Sequence, residues 1–364
     1  VKIKEITDYL EGLAPLSTQE DYDNCGLLVG SHNDSVSSIL ICLDSTPEIV
    51  DEAIEKGCDM IIAHHPIIFK GLKKLNGKNY IEQTVIKCIK HGIALYAIHT
   101  NLDNYLHGVN RDIGIRLGLE NLKILRPKQN GLFKLVVYTP VEAEENLITA
   151  LFNAGAGNIG NYSECSFSTE GIGTFKPNEG SNPFSGDIGN RSSDKERKLE
   201  FLVEHSILDK VLAVMNDFHP YEEVAHDIIQ LGNKNQHLGS GMIGELSVPL
   251  DEMDFLKKVK NTFGCGAIRY TELKGGKIKK VAFCGGSGSF LLQDAIRQGA
   301  DIFITGDFKY HEFFDSEKKI VIADIGHYES EQFTINLLGD ILKKKFATFA
   351  VRLTEINTNP INYI

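Results

Sequence analysis

The sequence predicts an α/β protein in which two similar α/β halves form one core, interrupted by a small ferredoxin-like α+β insert. Three observations lead there. The stretch ILICLDSTPEIVDEAIEKGCDMIIAHH (39–65) returns as VAFCGGSGSFLLQDAIRQGADIFITGD (281–307). At a constant offset of 242, Cys42 meets Cys284, Ala53-Ile54 meets Ala295-Ile296, Gly57 meets Gly299, Asp59 meets Asp301, and Ile62 meets Ile304. Between the copies the pattern changes to β-α-β-β-α-β, the order of a ferredoxin-like domain. Finally, 364 residues that are 42% hydrophobic and 24% charged suffice for two or three domains with a large buried core.

The elements follow in order. VKIKEITDYLEGLAP places apolar residues at 3, 6, 9, 10 and 13, the spacing of an amphipathic helix. It lacks a continuous apolar core and a cleavage site, so it does not read as a signal peptide. Each repeat copy then reads as a buried strand, a helix closed by glycine and a second buried strand. Such βαβ units build parallel-rich sheets covered by helices. A third strand follows each copy, IALYAIHTNLD in the first half and IVIADIGHYESE in the second.

The middle block supplies LFKLVVYTP as strand, VEAEENLITALFNAG as helix, YSECSFSTEG and KLEFLVEHS as strands, SILDKVLAVMNDFHP as helix, and YEEVAHDIIQL as strand. Its loop 176–197 is rich in Gly, Ser, Asn and Pro, a mobile composition. The expected divisions are 1–125 for the first half of the core, 129–240 for the insert, and 241–364 for the second half.

Charge and cysteine usage narrow the function classes. Lys+Arg number 38 against 49 Asp+Glu, a formal net charge of -11. That balance repels nucleic acid and anionic membrane, and no basic cluster is long enough to override it. The seven cysteines are scattered, odd in number and never spaced C-x-x-C. This argues against a disulfide framework and a cysteine zinc site, and favours a reducing, cytoplasmic setting. No 18-residue apolar run suggests a membrane span.

The chemistry-bearing residues are histidines and carboxylates. DMIIAHHP ends a buried strand in His64 and His65, which on a regular strand would point to opposite faces. At a strand end the chain is free to turn, and Pro66 disfavours helix for the residue before it. The third strands end in His99-x-x-x-Asp103 and His327-x-x-x-Glu331. One histidine at a strand end is ordinarily a hydrogen-bonded loop residue. Matching pairs in two similar halves argue for a shared task, because ligands bind outside the carboxyl ends of strands in α/β sheets. His64, His65, Asp103, His327 and Glu331 exceed the needs of one tetrahedral ion but suit two ions sharing a carboxylate. CGGSGSF (284–290) reads either as a phosphate-cradling loop or as a tight strand-to-helix turn; it lacks the lysine and spacing of a P-loop.

The motifs DYDNCGLLVG (21–30), AHHPIIF (63–69), IHTNLD (98–103), TGDFKYHEF (305–313) and GHYESE (326–331) resemble, in this order, the NIF-three-like family of dinuclear-metal proteins. The resemblance covers about 1–125 and 241–364, and the middle block resembles the PII-like insert of the longer bacterial members. Where this chain has Tyr22, family members commonly carry tryptophan. By motif the resemblance implies the same ligands, His64, His65, Asp103, His327 and Glu331, for two divalent ions per chain (Zn, Mn or Fe). His99 is not a family ligand and is expected beside the ligands, fixing Asp103 or a bound substrate. Asp307 and His311 are expected to line the same cleft as proton-transfer groups, or else to be a helix cap and a solvated side chain.

The resemblance further implies a GTP cyclohydrolase 1 type 2 homologue, in which a metal-bound hydroxide opens the ring of GTP at C8 of the guanine. Two other readings stand beside it. The cleft suits a metal-dependent phosphoesterase acting on a nucleotide-like small molecule, or the chain is a non-catalytic metal-containing sensor working through its insert. A homohexamer follows from the resemblance alone.

Overall fold

The computed structural model describes residues 1–129 and 131–364. The chain forms two compact units, one from Val1–Pro127 with His237–Ile364 and the other from Lys128–Gln236. Along the first segment run β1 (Gly26–Val29), β2 (Ser38–Cys42), β3 (Met60–Ala63), β4 (Ala94–Ala97) and β5 (Leu119–Lys128). The middle segment adds β6 (Leu132–Pro140), β7 (Ser166–Phe175), β8 (Ser192–Glu204) and β9 (His226–Gln230). The last segment contributes β10 (Asn235–Asp251), β11 (Arg269–Tyr270), β12 (Lys277–Ser287), β13 (Ile302–Gly306), β14 (Val321–Asp324) and β15 (Ala350–Leu353).

The larger unit holds two sheets, ordered β1-β4-β3-β2-β15 and β11-β14-β13-β12-β10-β5. In the first, β2, β3 and β4 are parallel and β1 is an antiparallel edge on β4. In the second, β12, β13 and β14 are parallel and β11 is an antiparallel edge on β14. Alternation along the strands decides what each sheet covers. Ile39, Ile41, Met60, Ile62 and Tyr96 face a common core with Val281, Phe283, Ile302, Ile304, Val321 and Ala323 of the second sheet. The intervening Leu40, Cys42, Ile61, Ala63 and Leu95 pack with Ile49, Val50, Ala53, Val85 and Cys88 of the helices Pro47–Glu55 and Tyr80–His91. Strands covered on both faces read as unbroken apolar runs, which is why the sequence shows them so clearly.

Glycine closes the repeated helices where expected. Gly57 and Gly299 both adopt positive φ, +64° and +70°, just beyond the helices Pro47–Glu55 and Leu292–Arg297. The N-terminal helix Ile3–Leu13 buries Ile3, Ile6, Thr7 and Leu10. Each sheet of the larger unit also takes a strand from the other end of the chain. β5, from before the insert, pairs beside β10 in the second sheet, and β15, from the C-terminus, lies parallel to β2 in the first.

The smaller unit is an antiparallel sheet of order β7-β8-β6-β9 with the helices Glu144–Ala154 and Leu208–Phe218. Three expected boundaries shift. β8 begins at Ser192, because Ser192–Arg197 pair with Glu170–Phe175, so the irregular loop ends six residues earlier than its composition suggests. β7 begins at Ser166 rather than Tyr162, which instead bridges back to Ile159. The last strand covers only His226–Gln230. Local composition weighs little where cross-strand pairing supplies the backbone's hydrogen bonds.

Candidate metal centre

The parallel strands of each sheet end level with one another, and the residues just beyond them meet. β2 is in register with β3 at Cys42–Ala63, and β3 with β4 at Ala63–Ala97. Asp44, His64, His65 and His99 therefore emerge at one edge of the first sheet. In the second sheet Asp307 follows β13, and His327 opens the short helix His327–Glu331, whose i,i+4 spacing sets His327 and Glu331 on one face. His99 precedes the single turn Thr100–Asp103, which presents Asp103 in the same way.

Every one of the four histidines is anchored through Nδ1. His64 Nδ1–H donates to the Ile98 carbonyl (2.8 Å), His65 to Asp44 (2.7 Å), His99 to Asp23 (2.9 Å) and His327 to Asp307 (2.7 Å). That leaves four Nε2 atoms as potential ligands, the tautomer and support usual for metal-binding imidazoles. His65 Nε2 lies 3.0 Å from Glu331 Oε2, His327 Nε2 lies 3.1 Å from the same oxygen, and the two nitrogens are 3.3 Å apart. His64 Nε2 lies 3.6 Å from Asp103 Oδ1 and 3.8 Å from Glu331 Oε1, too far for hydrogen bonds. Two trios thus form around the two oxygens of Glu331: His64, Asp103 and Glu331, and His65, His327 and Glu331. A third group, His64, His65 and His99, overlaps them.

The electrostatics fit a cation. His64 is fully buried, and burial lowers its pKa to about 4, so its Nε2 carries a lone pair. That lone pair is aimed at two carboxylate oxygens, and both His64 Nε2 and Asp103 Oδ1 are buried without a hydrogen-bond partner. A cation between them turns this repulsion into ligation. Burial raises the Asp103 carboxyl well above its usual value, and the charge of Glu331 pushes it further. Burial disfavours charge on Glu331 too, but His327 and the other imidazoles outweigh it and hold Glu331 ionised. Burial likewise opposes charge on His65 and His327. Asp44 and Glu331 nonetheless raise His65 to about 9, and Glu331 and Asp307 raise His327 to about 11. Histidine nitrogens and carboxylates without thiolate suit Zn, Mn or Fe.

The surrounding residues hold this arrangement in place. Gly286 has φ +60°, and a Cβ there would sit 2.4 Å from Glu331 Oε1, so the residue must be glycine for the carboxylate to reach its place. The amides of Gly285, Gly286 and Gly288 donate to Asn110, Ser330 and Thr305. CGGSGSF, which runs from the end of β12 into the short 3-10 helix Ser289–Leu291, therefore seats Glu331, and those three amides are not free to cradle a phosphate. The centre opens into a cavity of about 1010 Å³ lined by His65, His99, Asp103, His327 and Glu331 among others.

A family model described as Duf34/NIF3 (NGG1p interacting factor 3) matches residues 1–360. This chain belongs to the DUF34/NIF3 family. It is 38% identical to a protein of Halalkalibacterium halodurans named GTP cyclohydrolase 1 type 2 homolog, over 99% of this chain and 98% of that one. A Bacillus subtilis protein of the same name is 37% identical over 99% and 98%. The crystal structure of a Bacillus cereus protein related to NIF3 superposes with a TM-score of 0.87 at 36% identity, covering 100% of this chain and 99% of that one.

In this DUF34/NIF3 chain the remaining sequence candidates separate. His99 stands edge-on to the rings of His64 and His65, 5.2 Å from each, and lines the cavity. Its partner is Asp23, which also accepts from the Thr100 amide and hydroxyl. Asp23 therefore shapes the site. Asp307 contacts His327, and its own φ is +59°, a left-handed backbone uncommon outside glycine. His311 is exposed and packs on Tyr310 and Phe314, and it belongs to none of the three ligand groups among the described residues. Asp44 was not singled out in the sequence. Its signal was its place just past β2, level with the histidine pair. Among the described residues no helix is long and apolar enough to cross a membrane.

Proposed function

We propose that this protein is a dinuclear-metal-dependent hydrolase, with His64, Asp103 and Glu331 holding one divalent ion and His65, His327 and Glu331 the other. The observation that carries the reading is the pair of orphaned buried atoms, His64 Nε2 and Asp103 Oδ1, facing Glu331. Two such ions supply positive charge for a substrate oxygen and make a water acidic enough to attack near neutral pH. The chain's own residues do the rest. Asp44, Asp307 and the Ile98 carbonyl fix the imidazoles through Nδ1, so the ligand nitrogens need no reorganisation. His99 is anchored by Asp23 beside the centre and is the group placed to hold or move a proton at Nε2. Asp307 acts through His327 as a positioning residue, and His311 is given no role.

The names of the relatives point to GTP as substrate, with ring opening at the base as the reaction. The core is read as two similar halves, supported by the repeat at offset 242 and by the matching strand orders β1-β4-β3-β2 and β11-β14-β13-β12. The β-α-β-β-α-β unit is proposed as a PII-like insert. Elemental analysis of the purified chain, followed by GTP turnover with and without chelator, tests the function. About two metals per chain and chelator-sensitive loss of GTP are expected. Two metals without turnover would remove GTP as substrate, and no metal after reloading would remove the hydrolase reading altogether.

A further inference from the structure

The cavity over the metal centre carries a basic rim that the hydrolase reading has not used. Directly after the histidine pair, the loop FKGLKK (69–74) brings Lys70, Lys73 and Lys74 to its lining. All three side chains are exposed, and among the described residues none joins an ion pair. Elsewhere in this acidic chain lysines commonly sit on carboxylates, as Lys56 does on Glu52, Lys87 on Asp51 and Lys134 on Glu200. The loop is tied at both ends. Asn24 Nδ2 donates to the Ile68 carbonyl (2.6 Å) before it, and Glu82 accepts from the Asn76 and Lys78 amides (3.0 and 3.1 Å) after it. Three unpaired ammonium groups are thereby kept at the lining of the cavity over the metal centre.

Four aromatic side chains line the same cavity with much of their surface open: Tyr22 (68%), Phe69 (48%), Tyr80 (57%) and Phe290 (54%). Open aromatic faces offer stacking to a planar ring, and ammonium groups offer charge-assisted hydrogen bonds to phosphate oxygens. At about 1010 Å³ the cavity has room for both parts of one molecule. The glycine-rich segment 284–290, the other anion candidate, has three of its amides already engaged.

We propose that Lys70, Lys73 and Lys74 form an anion subsite that holds a phosphate group of a substrate whose planar ring stacks on the aromatic wall. The hydrolase reading supplies the reacting end of that substrate at the metal centre; the anion subsite itself stands on the lysines. The probe is inorganic tripolyphosphate, titrated calorimetrically into the full chain, metal-loaded and chelated, with metal content measured in parallel. The variant K70Q/K73Q/K74Q is expected to bind it about tenfold or more weakly in both states, with metal content and Tm unchanged. The variant K70R/K73R/K74R, which keeps the charge, is expected to bind as the wild type does. Wild-type affinity in the glutamine variant would overturn the proposal. So would complete loss of wild-type binding on chelation, which would assign the anion to the metals alone. A chain that takes up no metal yet binds tripolyphosphate through the lysines would support the subsite while removing the hydrolase reading.

Discussion

Glu331→Gln tests the architecture of the centre most directly. The glutamine keeps the size of a side chain that is 2% exposed and removes only its charge and one ligand oxygen. Both proposed trios use Glu331, one through each oxygen, whereas His64 and His65 belong to one proposed ion each. Elemental analysis after reloading should therefore be graded. His64→Ala and His65→Ala are each expected to lose about one ion of two, and Glu331→Gln about both, since even residues that merely support a ligand cost ~10–100-fold in affinity. Heat provides an independent scale. At a free ion concentration about one hundred times Kd, binding to the folded state contributes about 2.7 kcal/mol per site. For a chain of 364 residues that is a rise in Tm of roughly 3–4 °C per site, or about 7 °C for two sites. The wild type should show this shift on adding Zn or Mn, and Glu331→Gln should show none. If Glu331→Gln kept about two ions per chain, or lost no more than His64→Ala, Glu331 would not be the shared ligand.

Two further outcomes follow from the same geometry. Asp44→Asn replaces the acceptor of His65 Nδ1–H, an acceptor also held by Thr358 (2.7 Å), and should weaken one of two ions ~10–100-fold while sparing the other. A metal titration with two unchanged steps would remove Asp44 from the support of the site. The second outcome concerns pH. His65 and His327 have folded-state pKa values raised to about 9 and about 11, above the ordinary value of ~6.5. In chelated protein their contribution to stability is thus full below about pH 6.5 and lost as pH climbs through about 9 and then about 11. Its Tm should fall over that range. Metal affinity should rise over the same range, because each nitrogen must shed its proton to ligate. A metal-free Tm that stayed flat from pH 7 to pH 10 would contradict the assigned partners of both histidines.

The repeated βαβ units and the histidine–carboxylate pairs were legible in the sequence because they are encoded locally. Unbroken apolar runs mark strands buried on both faces, glycines at 57 and 299 mark helix ends, and a spacing of four sets His327 and Glu331 on one face. The rest of the site was not legible, since it is made by contacts that sequence spacing does not express. Asp23 reaches His99 from 76 positions away, and Thr358 reaches Asp44 from 314. The placing of β5 beside β10 and of β15 beside β2 was equally hidden, because such pairings join strands far apart in the chain.

The sequence by itself determined which residues have the chemistry of ligands and that they follow the ends of strands, though Asp103, His327 and Glu331 stand in short helical turns beyond them, because periodicity and turn residues act over a few positions. Only the tertiary structure decided which oxygen of Glu331 faces His64, His65 and His327, which acceptor holds each ring, and which lysines line the cavity. Those choices depend on how two sheets pack on a common core, and packing joins residues by surface shape and burial without regard to their distance along the chain.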